Sequence, residues 1–235
     1  MIVTGYAQAG RVTISNNEFD GNTNWSASCN GDHYWTMLFS GSSDLITLVG
    51  NYIHNCSGRA PKVNISLSNP NSWNQLTLSL SQIGGAGTSN IVIHAVNNYF
   101  SSIGTHPHAL KLISKIQNTT NPPPSGGHAF DLETGGMALI EGNVFESVTK
   151  TITPTSASAG GSVFNVYDSS DTSICNTALG RACVQNSVSG SGSWTKYTTS
   201  SFLTNMSGKN IQAAAPVSGV KASVMSNAGV GHLGN

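Results

Sequence analysis

Ile46-Thr47-Leu48-Val49-Gly50-Asn51-Tyr52-Ile53 reads as a β-branched strand, a tight corner and the start of a second strand. The same pattern returns as VTISNNEF (Val12 to Phe19), VIHAVNNYF (Val92 to Phe100) and ALIEGNVF (Ala138 to Phe145). Each copy closes on an asparagine, one further residue, and then an aromatic side chain or isoleucine. Internal similarity of this kind marks a solenoid, in which stacked coils set the same residue type at the same corner. Asn17, Asn51, Asn98 and Asn143 are therefore expected to form a column, each in the left-handed conformation and bonded to the next. The fold class that follows is all-β, a parallel β-helix.

The column is unevenly spaced, at intervals of 34, 47 and 45 residues. A coil of this kind needs only roughly two dozen residues, so the last two intervals carry excess chain. The excess falls in residues 64–82 (NISLSNPNSWNQLTLSLSQ) and about 105–125 (THPHALKLISKIQNTTNPPPS), which show no repeat and no matched turn chemistry. They are either long loops, which are uncommon without structure of their own, or translated introns of a fungal-type gene. We favour the second reading, because each block can be back-translated with a CTAAC branch-like sequence, a pyrimidine-rich tract and a terminal CAG. Residues 150–235, rich in Gly and Ser, are expected to form a mostly irregular tail packed on the helix, with a short helix near Phe202. The organisation is then one domain over 1–235 with two suspected insertions.

Only 9% of the 235 residues are charged and the formal net charge is zero, against a typical charged share of about 25%. Nucleic acid and anionic membranes are disfavoured as partners, because both select for clustered Lys and Arg. No run of about 18 apolar residues occurs. The start, Met1-Ile2-Val3-Thr4-Gly5, has neither a basic nor an apolar leader region, so no secretory signal is expected in this chain. Cys175 and Cys183 are close enough in sequence to pair, whereas Cys29 and Cys56 have no evident partner.

The chemistry points to Asn55-Cys56-Ser57-Gly58-Arg59-Ala60-Pro61-Lys62-Val63, where two cations lie three residues apart around a proline. In a strand-and-turn protein both would sit near one strand end, with Gly58 expected to supply a positive φ and Pro61 to stiffen the backbone. The aromatic cluster Asp32-His33-Tyr34-Trp35 and the stretch Gly127-His128-Ala129-Phe130 suit a saccharide cleft, in which sugar faces stack on rings and cations hold carboxyl oxygens. The histidines read as packing or turn residues rather than catalysts.

Together RVTISNNEFDG, CNGDHYW, LITLVGNYIHNCSGRAPKV, IHAVNNYF, GHAFDLETGGMALIEGNVF, CNTALGRAC and the closing GKNI to NAGVGHLGN resemble the second half of the fungal pectin lyases of polysaccharide lyase family 1. The resemblance implies a right-handed parallel β-helix enzyme, secreted and monomeric, that cleaves methyl-esterified polygalacturonan (pectin) by β-elimination with no metal or other cofactor. It implies Arg59 as the catalytic residue, Lys62, Tyr34 and Trp35 as substrate-binding residues, and a disulfide between Cys175 and Cys183. It also implies that the chain starts about halfway along the family pattern, with the cap, an upstream Asp, a second Arg and the partner of Cys29 absent. Such a chain is expected to be poorly soluble and at best weakly active, since an opened solenoid exposes an apolar coil face and free strand edges.

The chemistry agrees with that assignment. Elimination removes the proton beside the uronic carbonyl and expels the glycosidic oxygen, so the site must accept a proton and stabilise an enolate-like oxyanion. Arginine, with a reference pKa above about 12, is a weak candidate base and a strong oxyanion partner. A methyl ester is neutral and already acidifies the neighbouring C–H, whereas a free carboxylate calls for Ca²⁺ held by several Asp or Glu. The few acidic residues here favour the esterified polymer over a calcium-dependent pectate lyase reaction.

Overall fold

A computed structural model describes residues 1–4, 9–27, 29–41, 43–63, 90–104, 127–158 and 160–231; the suspected insertions 64–82 and 105–125 lie outside the described residues. The chain winds through three parallel sheets in the same order on every turn. The first coil is β1 (Ile2–Val3), β2 (Arg11–Ser15) and β3 (Glu18–Asp20), and the second is β4 (Met37–Phe39), β5 (Leu45–Val49) and β6 (Tyr52–His54). The third is β7 (Lys62–Val63), β8 (Ile91–Val96) and β9 (Tyr99–Ser101), and the fourth is β10 (Asp131–Leu132), β11 (Gly136–Glu141) and β12 (Val144–Glu146). β13 (Ser162–Asn165) and β14 (Ser187–Ser189) extend the second and third sheets. The strand orders β1-β4-β7-β10, β2-β5-β8-β11-β13 and β3-β6-β9-β12-β14 define a parallel β-helix.

Register turns the sequence repeat into columns of like side chains. Phe19, Ile53, Phe100, Phe145 and Val188 align along the third sheet and face inward. The Phe100 and Phe145 rings stack at 4.9 Å, and both are fully buried, each contributing about 1.5–3 kcal/mol of transfer free energy.

The asparagine column forms and has a fifth member. The backbone N–H of Asn17 donates to Asn51 Oδ1 at 3.0 Å, that of Asn51 to Asn98 Oδ1 at 3.0 Å, that of Asn98 to Asn143 Oδ1 at 2.9 Å and that of Asn143 to Asn186 Oδ1 at 3.0 Å. Each side-chain amide also bonds its neighbour and a strand carbonyl, so corner groups buried between coils are satisfied. The left-handed conformation expected of these asparagines falls instead on the residue before each: Asn16, Gly50, Asn97 and Gly142 have φ of 54°, 66°, 52° and 61°. That residue makes the turn, and the column residue after it points its amide along the stack.

The expectation of a mostly irregular tail over 150–235 needs amending, because β13, β14 and Asn186 add strands and a rung. These strands have four and three residues, too short for periodicity to stand out, and Asn186 is followed by Ser187-Val188 rather than an aromatic. A 3₁₀ helix spans Ser201–Met206. The helix Val220–Asn227 lays Val220 and Val224 against Tyr99 and Val144 of the third sheet. Cys175 and Cys183 are bonded, with α-carbons 5.5 Å apart, within an apolar cluster that covers the second sheet. No helix among the described residues is long and apolar enough to cross a membrane.

The residues that flank the second suspected insertion touch. A Cβ placed on Gly127 would lie 2.2 Å from Gly104 Cα, so the two α-carbons are about as close as neighbours in a chain, ~3.8 Å. Deleting 105–126 and joining Gly104 to Gly127 is therefore expected to leave the coil intact. The deleted chain should unfold cooperatively at a midpoint within a few degrees of the parent; a collapsed or non-cooperative transition in a thermal melt would oppose the insertion reading.

Candidate active site

β7 lies between β4 and β10 in the first sheet, and its register sets Lys62 opposite Asp131 and Val63 opposite Leu132. Alternation then sends Val63 and Leu132 inward, where both are fully buried, and Lys62 and Asp131 to the outer face. Lys62 Nζ donates to Asp131 Oδ2 at 3.1 Å and bonds the Glu133 carboxylate. Lys62 is only 7% exposed, so its charge is committed to two carboxylates.

Arg59 occupies the turn into β7. The positive φ expected of Gly58 falls on Arg59, at 50°. Such a conformation costs a non-glycine residue about 1–3 kcal/mol and persists where the surroundings fix it. Here the Arg59 carbonyl accepts from the Met37 amide at 3.0 Å and the Ala60 amide donates to the Ala129 carbonyl at 2.9 Å, tying the turn to the coils on both sides. Gly58 instead provides room: a Cβ there would sit 3.2 Å from the Tyr34 ring and 3.5 Å from the His128 nitrogen.

The Arg59 guanidinium carbon lies 5.0 Å from the centre of the Tyr34 ring, a cation–π contact. Its Nε is 4.0 Å from Asp131 Oδ2 and, being buried, has no hydrogen-bond partner. The side chain as a whole is 29% exposed, so it remains open to a ligand. Tyr34 meets Trp35 edge-on at 5.7 Å and His128 edge-on at 6.4 Å. Trp35 is 45% exposed and offers a face for stacking.

Arg59, Lys62 and Tyr34 thus converge on one surface with Trp35 at its margin, while Cys175 and Cys183 belong to the covering of the second sheet. The acids of GHAFDLETGG are not among the site residues to which the sequence points. Asp131 and Glu133 are the centre of the network, and the available signal was two carboxylates two residues apart, hence on one face of a strand. His128 adds a third cationic contact to Asp131 when protonated, at 3.5 Å.

Burial pushes the Asp131 carboxyl up, but the hydrogen bond from His128 and the Lys62 charge outweigh it and hold the group well below the ordinary carboxylate range. A carboxylate depressed in the folded state stabilises the fold above its unfolded pKa, about 3.9, and that contribution is lost as pH falls through the folded value. Wild type should therefore exceed Asp131→Asn in stability at pH 6, and the gap should narrow progressively below about pH 4. Urea unfolding at pH 6, 4 and 3 measures the gap; a constant gap would place the loss in packing instead of charge. Among the described residues no group of three or more His, Cys, Asp or Glu is arranged to hold a metal ion.

No model of a known protein family matches the chain. Curated relatives do. The probable pectin lyase F-1 of Aspergillus terreus is 40% identical over 235 residues, which is 99% of this chain and 50% of that protein. Pectin lyase B of Emericella nidulans is 38% identical over 232 residues, 99% of this chain and 48% of that protein. Over nearly its whole length this chain is similar to about half of each of these two fungal proteins. It spans about half the length of the curated pectin lyases it matches. Among solved structures, a pectate lyase bound to a hexasaccharide aligns at a TM-score of 0.42 and 18% identity, over 98% of this chain and 45% of that one. The pectin lyase similarity runs through β7 and β10, the strands that carry the arginine turn and the carboxylate pair.

Proposed function

We propose that this chain carries the reacting arginine of a pectin lyase, which cleaves methyl-esterified polygalacturonan by β-elimination and leaves an unsaturated uronate at the new non-reducing end. The observation that carries the reading is Arg59: a partly open guanidinium, fixed in a strained turn against Tyr34, with its Nε unpartnered. In the elimination the proton beside the ester carbonyl passes to water, the electron pair of its C–H bond becomes the new double bond, and the glycosidic oxygen departs with the C–O bonding pair and takes up a proton, so that no atom is gained or lost overall. Negative charge grows on the ester oxygen meanwhile, and a preorganised guanidinium stabilises it without reorganising. Lys62 acts by holding Asp131 and Glu133, and Asp131 in turn orients Arg59. Two cations against two carboxylates give the site no surplus charge, which suits a neutral ester over a polyanion.

Tyr34 and Trp35 are proposed to line the sugar path, and no metal is required. A polymer too large to cross a membrane must be met outside the cell, and the Cys175–Cys183 disulfide suits that oxidising setting. A second reading, a fragment that at most binds polysaccharide, draws on the half-length match to the relatives. The deciding experiment follows ultraviolet absorbance of the unsaturated product on highly esterified and unesterified polymer, each with and without chelator. Chelator-resistant activity on the esterified polymer is expected. Chelator-sensitive activity on the unesterified polymer would assign a calcium-dependent pectate lyase instead, and no activity the fragment.

A further inference from the structure

A second depression, distinct from the Arg59 surface, lies on the outer face of the second sheet. Register aligns Arg11, Leu45 and Val92 in one row and Thr13, Thr47 and His94 in the next, and the segment from Asn205 to Ile211 walls the groove they floor. The cavity holds about 260 Å³, just under the roughly 300–1,000 Å³ of small-molecule sites, room for a short stretch of a longer chain.

Its lining carries Arg11, Lys209 and His94 and no Asp or Glu among the described residues. Neither Arg11 nor Lys209 makes a described ion pair. His94, 2% exposed, is held by Nε2 on Glu141 Oε1 at 2.8 Å, while its Nδ1 has no partner. Glu141 is fully buried and bound by Arg181 and the Val184 amide as well, so it accepts, and the His94 Nε2 hydrogen donates. In a neutral ring that leaves Nδ1 an acceptor of hydroxyl hydrogens. Leu45, Val92, Met206 and Ile211 supply apolar surface beside these polar groups. Two open cations, apolar patches and small hydroxyls together match a ring that bears hydroxyls, a C–H face and a carboxylate.

We propose that this groove is a second saccharide site, selective for unesterified uronate units, which lets the protein hold de-esterified stretches of the polymer while the Arg59 surface takes esterified ones. The choice of polymer rests on the proposed function above; the anionic-sugar assignment does not.

The test is calorimetric titration of the full 235-residue chain with unesterified trigalacturonate and with its methyl ester. Arg11→Gln with Lys209→Gln removes two charged donors from exposed positions and should weaken the acid trimer by about 10–100-fold, leaving release of unsaturated product from esterified pectin unchanged. Arg59→Ala should leave acid-trimer binding intact. The proposal is overturned by any of three results: no acid-trimer binding, binding indifferent to the double substitution, or binding lost in Arg59→Ala. It also fails if inorganic phosphate displaces the trimer at equal concentration, which would reduce the groove to an unselective anion site. Acid-trimer binding that follows Arg11 and Lys209 in a protein yielding no unsaturated product would keep this site and discard the lyase reading.

Discussion

Arg59→Ala is expected to lower kcat on esterified pectin by about 10²–10³-fold, the loss seen when one preorganised oxyanion donor is removed. KM should change little, because the guanidinium meets charge that exists chiefly in the transition state. Arg59→Lys should recover only part of the loss, since an ammonium lacks the planar fork and cannot lie over the Tyr34 ring in the same way. The substitution should not unfold the protein: Arg59 makes no direct side-chain hydrogen bond among those described, and alanine relieves none of the backbone ties through Met37 and Ala129. Steady-state rates alongside circular dichroism separate the two effects. A variant that keeps its fold and its rate would remove Arg59 from the mechanism.

Asn98→Ala is expected to cost about 3–5 kcal/mol, a large share of a typical stability of 5–15 kcal/mol. Asn98 Oδ1 accepts both the backbone N–H of Asn51 and its side-chain amide, and Asn98 Nδ2 donates to the carbonyls of Leu48 and Val96. Truncation leaves these groups unpaired in a corner that is 0% exposed, at about 1–3 kcal/mol for each group that water cannot reach. Asn17→Ala, at the exposed end of the column, keeps the backbone N–H bond to Asn51 and removes only the side-chain amide's bonds to Ser15 and Asn51, which water can replace, and should cost under about 1 kcal/mol. Denaturant unfolding of the two variants gives the contrast; equal costs would mean that the column is incidental to stability.

The same column shows what a sequence reveals and what it hides. Asn17, Asn51, Asn98 and Asn143 were legible because each follows a β-branched or aliphatic strand and is followed two residues on by an aromatic side chain or isoleucine, so corner and core repeat together. Asn186 was not, since the residues after it lack the aromatic that advertises the core. The turn conformations were misplaced by one residue, both in the column and at Gly58-Arg59, because φ depends on which residue must yield to its neighbours. A side chain at 58 would crowd Tyr34, so glycine is used there for room, and the left-handed φ falls on Arg59. At the candidate site the arginine, the lysine and the tyrosine could be read from local spacing and resemblance. The pairing of Asp131 and Glu133 with Lys62 could not, because it spans 69 and 71 residues, and only the coil register brings the three together.

The most direct test of the account is the mass of the oligosaccharides released from fully methyl-esterified polygalacturonan by this chain and by Arg59→Ala, with chelator present throughout. Wild type should release products whose newly made non-reducing ends carry the double bond and which are lighter by one water than the corresponding hydrolytic fragments, and Arg59→Ala should release almost none. Hydrated products, equal yields from the two proteins, or no product from wild type would contradict the account.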